Sequence, residues 1–477
     1  MENKFSLFCL NKRLVEEKND FLFFFLFFYV IILFVERMKF MKVSLVTLGC
    51  SKNQVDSEMI IGYFKKNGYK IINDLSKADI IIVNTCGFIQ SAKEEAISTI
   101  LEMADYKQNA KCKALIVVGC LAKRYKKDIL KTMPEVDLCI GVDEYKDIDV
   151  ILSEFLDQKF LNQKLEYKNR IISSDFPSCY IRISDGCDNR CSYCAIPLIR
   201  GKFRSRKMED ILEEVQVLAS QGIQEFCVIS QDTSKYGIDI YGKLMLAELL
   251  NKMSKIEGVK WIRILYMYLF EATDELIEEI KNNDKICKYF DIPIQHLSNK
   301  ILKDMNRYDT KDIIYDRIKT IRNKIPNAIL RTTVMTGFPG ETEEDFEELR
   351  QGVIDLKFDR LGAFAYSREE DTKAYDMENQ VDENTKYERL KEILEVQKSI
   401  SYELNSKKIN NIYEVLVEGI TEDEEYFCCR SYMEAPDVDG RIYVRIDEKS
   451  CNKLIVGEFA KVRIIDYDDY DLYAKVI

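Results

Sequence analysis

The sequence predicts an α/β protein in three parts: an amino-terminal parallel α/β domain, a central partial (β/α) TIM-like barrel, and a small carboxy-terminal all-β barrel. Three observations predict it. From Met41 onward, apolar β-branched runs alternate with stretches of helical period. From Cys179 a second series of six strand–helix repeats fills roughly 200 residues. From Ile412 to Ile477, hydrophobic alternation between turn signals replaces both patterns.

The first forty residues stand apart. Phe21 to Val35 is a run of fifteen apolar residues between Asp20 and Glu36, short of the roughly twenty that span a bilayer. No small-residue cleavage site follows, as an export signal would want. A short membrane anchor, a degenerate export signal and translation upstream of the true start all remain open. We read residues 1–40 as the last of these, because Met38 and Met41 directly precede a clean strand, and expect a cytoplasmic protein without a membrane partner.

Within residues 41–165, VSLVTLG (Val43 to Gly49), DIIIVNT (Asp79 to Thr85) and ALIVVG (Ala114 to Gly119) read as strands. Ser57 to Asn67 and Ser91 to Tyr106 have helical period. Continuously apolar strands imply a parallel sheet covered on both faces. Gln158 to Ser178 is charged and irregular, a predicted linker. Within residues 179–405, strands are predicted at Cys179 to Gly186, Glu225 to Ser230, Ile262 to Tyr268, Tyr289 to His296, Ala328 to Phe338 and Arg360 to Ser367. Asp382 to Lys408 is a charged helix, and residues 410–477 form the closing barrel.

Composition narrows the chemistry. Of 477 residues, fifteen are Cys and one is His. Cysteines odd in number and spread through a large chain favour thiol and metal chemistry in a reducing compartment over a disulfide framework. With His296 alone, any zinc site using two histidines is excluded. A net charge of −11 argues against a general affinity for nucleic acid.

Two constellations of cysteine carry the chemistry. Cys187, Cys191 and Cys194 form a C-x3-C-x2-C loop directly after a strand. Thiolates hold iron–sulfur clusters, normally four to a cube, so three close ligands leave one iron open to a small molecule. Cys50, Cys86 and Cys120 each follow an apolar strand immediately. Parallel strands deliver such residues to one sheet edge. A single strand-end Cys is usually packing, but three on consecutive units are hard to dismiss.

GCDNRCSYCAIPLIRGKFRSR (Gly186 to Arg206) resembles the signature of radical S-adenosylmethionine (SAM) enzymes, specifically the methylthiotransferases. TLGCSKNQVDSE and NTCGFIQSAKEEA are similar to that family's amino-terminal domain, and the resemblance runs from Met41 to Ile477. It implies two 4Fe–4S clusters, one on each cysteine set, and SAM used twice per turnover. One cluster would cleave SAM to a radical, and the other would hold the sulfide delivered to carbon. It implies that Tyr193 lies near the adenine, and that the turn TGFPGETEEDF, with Gly337, Gly340 and Glu341, approaches SAM. QDTSKYG (Gln231 to Gly237) resembles a substrate-side loop, and Ile294 to Arg307 resembles another family stretch. His296 is as much a structural hydrogen-bonder as a catalyst. The basic run Arg200 to Lys207 is either a solvated helix start or a guide for an anionic group. The other cysteines read as packing.

The family divides between enzymes of transfer-RNA adenosines and one of an aspartate in ribosomal protein S-12. Residues 410–477, similar to the TRAM module, hold sixteen Asp or Glu against eight Lys or Arg. So acidic a surface reads phosphates poorly and suits a basic protein, or merely keeps the barrel soluble. DNRCSYCAIPLIRGKF and RSYMEAPDVDG also resemble the ribosomal-protein branch, although Cys429 stands where the family usually has Gly and Glu434 where it has Asp. We therefore expect methylthiolation of the aspartate β-carbon in S-12, supported by a reductant protein such as flavodoxin or ferredoxin, with no direct nucleic-acid readout. A transfer-RNA methylthiotransferase is the alternative, and a non-catalytic iron–sulfur protein a third.

Overall fold

A computed structural model describes residues 41–157, 160, 164–174 and 176–477; the apolar run Phe21 to Val35 lies outside the described residues. Among the described residues, no helix is long and apolar enough to cross a membrane.

The amino-terminal sheet joins β1 (Lys42–Thr47), β2 (Lys70–Ile71), β3 (Ile80–Thr85), β4 (Ala114–Gly119) and β5 (Leu138–Gly141) in the order β2-β1-β3-β4-β5, all parallel. The period of two explains its double cover. Ile80 and Ile82 join the core beneath one face with Ile60 and Phe64, whereas Ile81 and Val83 join the opposite core with Ala96 and Ile100. These partners come from helices α1 (Ser51–Lys66) and α2 (Gln90–Asn109); α3 (Cys120–Thr132) follows β4 with no intervening loop.

Central strands β6 (Ser178–Arg182), β9 (Glu225–Ile229) and β10 (Trp261–Ile264) form one parallel sheet, in which β6 pairs with β9 and β9 with β10. Strands β11 (Tyr289–Asp291), β12 (Ile329–Thr336) and β13 (Arg360–Ala365) form a second. A parallel bridge from Ile262 to Ile286 joins them into a six-stranded open barrel. The short hairpin β7 (Ser184–Asp185) and β8 (Arg204–Ser205) frames the loop after β6. Helix Glu383–Ser406 lies along β12 and β13.

The last five strands, β14 (Ile412–Ile420), β15 (Tyr426–Arg430), β16 (Ile442–Arg445), β17 (Phe459–Tyr467) and β18 (Leu472–Val476), close into a barrel. It packs on the beginnings of the central strands. Arg430 meets Glu225 at 2.5 Å, Arg263 donates to the Tyr432 carbonyl at 2.7 Å, and the Tyr180 and Tyr289 hydroxyls donate to Asp437 and Asp439. The cysteine loop leaves the opposite, carboxyl end of β6. The family's two departures are absorbed inside: Cys429 is fully buried, and Glu434 pairs with Arg360 at 3.2 Å.

The predicted linker does more than connect. Arg170 is buried, lies 2.9 Å from Glu214 and also pairs with Glu58, which ties the first domain to the second. Composition registered only charge, and charge alone does not say which guanidinium will be buried.

Candidate active site

The loop of Cys187, Cys191 and Cys194 is held from three sides. The Ser192 N–H donates to the Met305 carbonyl at 3.0 Å, and its hydroxyl to the Asp304 carbonyl at 2.8 Å. The Asn306 amide donates to the Arg190 carbonyl at 3.0 Å, and the Asn189 amide to Asp232 at 2.8 Å. Cys187 and Cys191 are buried and Cys194 half-buried, and none is in a disulfide. The Cys191 sulfur lies 3.0 Å from the Tyr268 hydroxyl. Burial pushes the Cys187 thiol up to about 12, helped by the charges of Asp232 and Cys191. Burial and Cys191 likewise raise Cys194. A cationic iron centre supplies the charge that turns such thiols into thiolates.

Tyr193 is half-buried beside Cys191 and Cys194; burial raises its phenol far above the ordinary value, and Arg307 pulls against that rise. The Arg307 guanidinium lies 4.3 Å from the Tyr268 ring centre and bonds the Pro293 carbonyl and Asp309, while its Nε has no hydrogen-bond partner. Arg307 is thus a buried cation one ring away from Cys191, a charge that would attract a carboxylate at the cysteine loop. Arg307 closes a stretch that the sequence marked only by likeness, and Tyr268 lay in an apolar run with no signal of its own.

The second set converges from three strand ends. Cys50 caps α1, Cys86 follows β3, and Cys120 opens α3. Glycines allow the approach. A side chain at Gly49, whose φ is +86°, would come within 2.7 Å of the Cys86 Cβ; one at Gly87 would meet the Leu121 backbone at 2.8 Å. The Asn53 amide donates to the carbonyls of Leu48 and Thr85 at 3.1 and 3.0 Å, locking two of the three ends together. Cys50 is accessible to solvent. Burial would raise its thiol, but Lys52, Arg200 and the N–H groups at the start of α1 hold it below its usual value. Burial lifts Cys120 to about 12, with the charges of Cys50 and Cys86 adding to the rise.

Among the described residues, no three His, Cys, Asp or Glu side chains are arranged to hold a single metal ion. A four-iron cube takes one thiolate on each iron, a wider set than one ion needs. Each constellation offers three thiols outside any disulfide and close enough to feel one another's charge. The donor set fits a cube.

Arg200 ties the second set to the loop after β6. It lies 2.8 Å from Asp56, 2.9 Å from the side-chain Oδ1 of Asn53, 3.1 Å from Asp185 and 3.8 Å from the Cys120 sulfur. Arg182 meets the same Asp56 at 2.5 Å. Neither reading of the basic run describes Arg200, which is buried and structural; Lys202, Arg204 and Lys207 are exposed. Arg200→Met is expected to cost about 3–5 kcal/mol by leaving Asp56 under-compensated, read as a fall in the urea midpoint. Arg200→Lys should recover little of it, because an ammonium cannot reproduce the fork.

The turn after β12 is occupied by its own neighbours. Gly337 faces Lys386, whose Cγ lies 2.1 Å from where a Cβ would stand. Glu341 accepts from the Gly337 N–H at 3.0 Å and pairs with Arg389 at 2.8 Å and the His296 Nε2 at 3.3 Å. Gly340 makes the turn at φ +82°. His296 is fully buried and accepts from the Ser298 N–H. Phe338 nevertheless packs in one apolar cluster with Tyr193, which brings the turn to the cysteine loop.

Comparison with known proteins follows the same division. Residues 42–141 match the uncharacterized protein family UPF0004, residues 181–351 the radical SAM superfamily, and residues 409–477 the TRAM domain. The chain is 48% identical over 452 residues to the ribosomal protein uS12 methylthiotransferase RimO of Acetivibrio thermocellus, covering 91% of this chain and 98% of that one. It is 50% identical over 443 residues to the protein of the same name from Clostridium botulinum (strain Eklund 17B / Type B), with coverage of 91% and 98%. Its fold is similar to that of the radical SAM methyltransferase TsrM of Kitasatospora setae, at a TM-score of 0.53 and 12% identity, covering 68% of this chain and 72% of that one.

Proposed function

The chain belongs to the family of the ribosomal protein uS12 methylthiotransferase RimO, and from that premise we propose that it adds a methylthio group to the β-carbon of an aspartate in ribosomal protein S-12 (uS12). It is an enzyme of the radical SAM type. The observation that carries the reading is the nearness of two three-thiol sets: Cys120 packs in one apolar cluster with Ala195, the residue after Cys194.

In this reading Cys187, Cys191 and Cys194 hold one 4Fe–4S cluster, and Cys50, Cys86 and Cys120 hold a second. When bound, these clusters supply reductive cleavage of SAM and a site for the sulfur that is transferred. The chain's own residues do the rest. Arg307 offers its free Nε–H to a carboxylate at the cysteine loop. Tyr193 and Phe338 wall one side with apolar surface that keeps water from a reactive centre. Asn53 and the glycine-fitted strand ends hold the second thiol set in place before any substrate arrives.

The acidic barrel serves steering rather than chemistry, because it sits at the far end of the central strands. Part of its acidity is internal, since Glu418, Glu434 and Asp439 face Arg430, Arg360 and Arg331. Glu422, Asp423, Glu424 and Glu425 remain exposed on one turn, a surface that attracts a basic protein and repels RNA phosphates. A cytoplasmic setting and a flavodoxin- or ferredoxin-type reductant complete the proposal.

Mass spectrometry of a deletion strain tests it. S-12 is expected to lose its added methylthio mass while the methylthio-adenosines of transfer RNA persist. The reverse pattern would establish the transfer-RNA reading instead.

A further inference from the structure

At the rim of the cysteine loop, two neighbouring loops repeat one arrangement: an exposed aromatic followed by a largely covered carboxylate. Phe270 and Tyr308 are 57% and 61% exposed, with ring centres 6.3 Å apart. Glu271 and Asp309 follow them, and their side chains are 13% and 1% exposed. Tyr268, three residues before Glu271, touches Cys191, and Arg307, two before Asp309, lies over Tyr268. The pair therefore stands one short step outside the cluster loop.

Each carboxylate is only half used. Glu271 Oε1 lies 3.4 Å from Lys235 and Asp309 Oδ2 lies 3.0 Å from Arg307, but Glu271 Oε2 and Asp309 Oδ1 are buried with no hydrogen-bond partner. Burying an acceptor unpaired costs about 1–3 kcal/mol. Burial and Asp232 raise the Glu271 carboxyl, and the nearby charge of Asp309 adds to the rise. Three carboxylates here face two cations, Lys235 and Arg307.

We infer that Glu271 and Asp309, roofed by Phe270 and Tyr308, form a subsite for one Lys or Arg side chain of the protein substrate, beside the residue that is modified. This rests on the proposed function for the identity of the substrate. The stem of such a side chain would lie along the aromatic faces, and its charged head would donate to the two unpaired oxygens. A divalent metal fits poorly, because Lys235 and Arg307 already occupy the flanking oxygens and hard cations want an oxygen cage. The subsite is specificity-determining rather than catalytic: it fixes which aspartate reaches the cluster loop.

The test measures binding of peptides spanning the target aspartate of S-12 to the reconstituted holoenzyme, with flanking basic residues kept or replaced by glutamine. Glu271→Gln is expected to weaken the basic peptide about tenfold and to leave the neutral peptide unchanged, so that the two losses do not add. Phe270→Ala, at an exposed position that cannot unfold the core, should weaken the basic peptide several-fold. Equal losses for basic and neutral peptides, or none, would overturn the subsite. So would a Glu271→Gln enzyme whose affinity falls for SAM alone. Charge discrimination by a wild-type enzyme that transfers no methylthio group would support the subsite and overturn the proposed function; turnover without discrimination would do the opposite.

Discussion

Cys191→Ala is expected to lower iron from about eight to about four per chain and to reduce SAM cleavage by more than about 100-fold. The magnitude follows from cluster chemistry: even outer-shell partners of a metal cost 10–100-fold when removed, and a lost thiolate leaves too few ligands for a cube. The thiol is also tied to its surroundings by Tyr268, so the variant frees a buried hydroxyl. A Cys86→Ala protein separates that effect from the chemistry. It should also hold about four iron, keep SAM cleavage, and lose methylthio transfer. Iron and sulfide analysis with 5′-deoxyadenosine quantification reads both. Retention of full cleavage by Cys191→Ala would end the radical assignment of this loop.

The second large effect is on stability. Glu225 is fully buried between Arg430 at 2.5 Å and Arg263 at 3.0 Å, and the Ser178 hydroxyl donates to it at 2.6 Å. Glu225→Ala is expected to cost about 3–5 kcal/mol, because two guanidiniums are left facing each other out of water. Burial would raise this carboxyl, yet Arg430 and Arg263 outweigh it and hold the group at about 2. A depressed folded value contributes stability that is complete above the unfolded value near 4.5 and disappears as pH falls through about 2. The shift is worth about 3 kcal/mol, so acid unfolding should steepen between about pH 4.5 and 2 in the wild type. The Glu225→Ala chain, already without this pair, should show a shallower acid limb. Urea titrations across that range decide it.

Most strands were legible because their signal is local. ALIVVG forms β4 from Ala114 to Gly119, as its continuous apolar character implies. Strand ends were overrun at Ile262 to Tyr268 and Tyr289 to His296, where β10 stops at Ile264 and β11 at Asp291. Beyond those points the apolar residues leave the ladder for the active-site rim, a tertiary event that periodicity does not encode. The two cysteine triads were readable because spacing and strand ends carry them. Arg200, Arg307 and Glu271 were not, since whether a charged residue is covered depends on partners from other elements: Asp56 for Arg200, Tyr268 for Arg307 and Lys235 for Glu271. The neighbours of His296 were equally hidden: Glu341 reaches it from the turn after β12.

Asp56 shared by two arginines also limits how this enzyme can be entered. Swinging the first domain away from the second would strip Arg182 and Arg200 of their common counter-ion in one movement, a penalty far above thermal energy. The molecule therefore has no cheap clamshell motion. A substrate that must reach the cysteines without prying the domains apart is better offered as a protruding turn or a tail than as a flat folded surface. Selectivity begins as a matter of topography, before any atom of the target is chemically recognised.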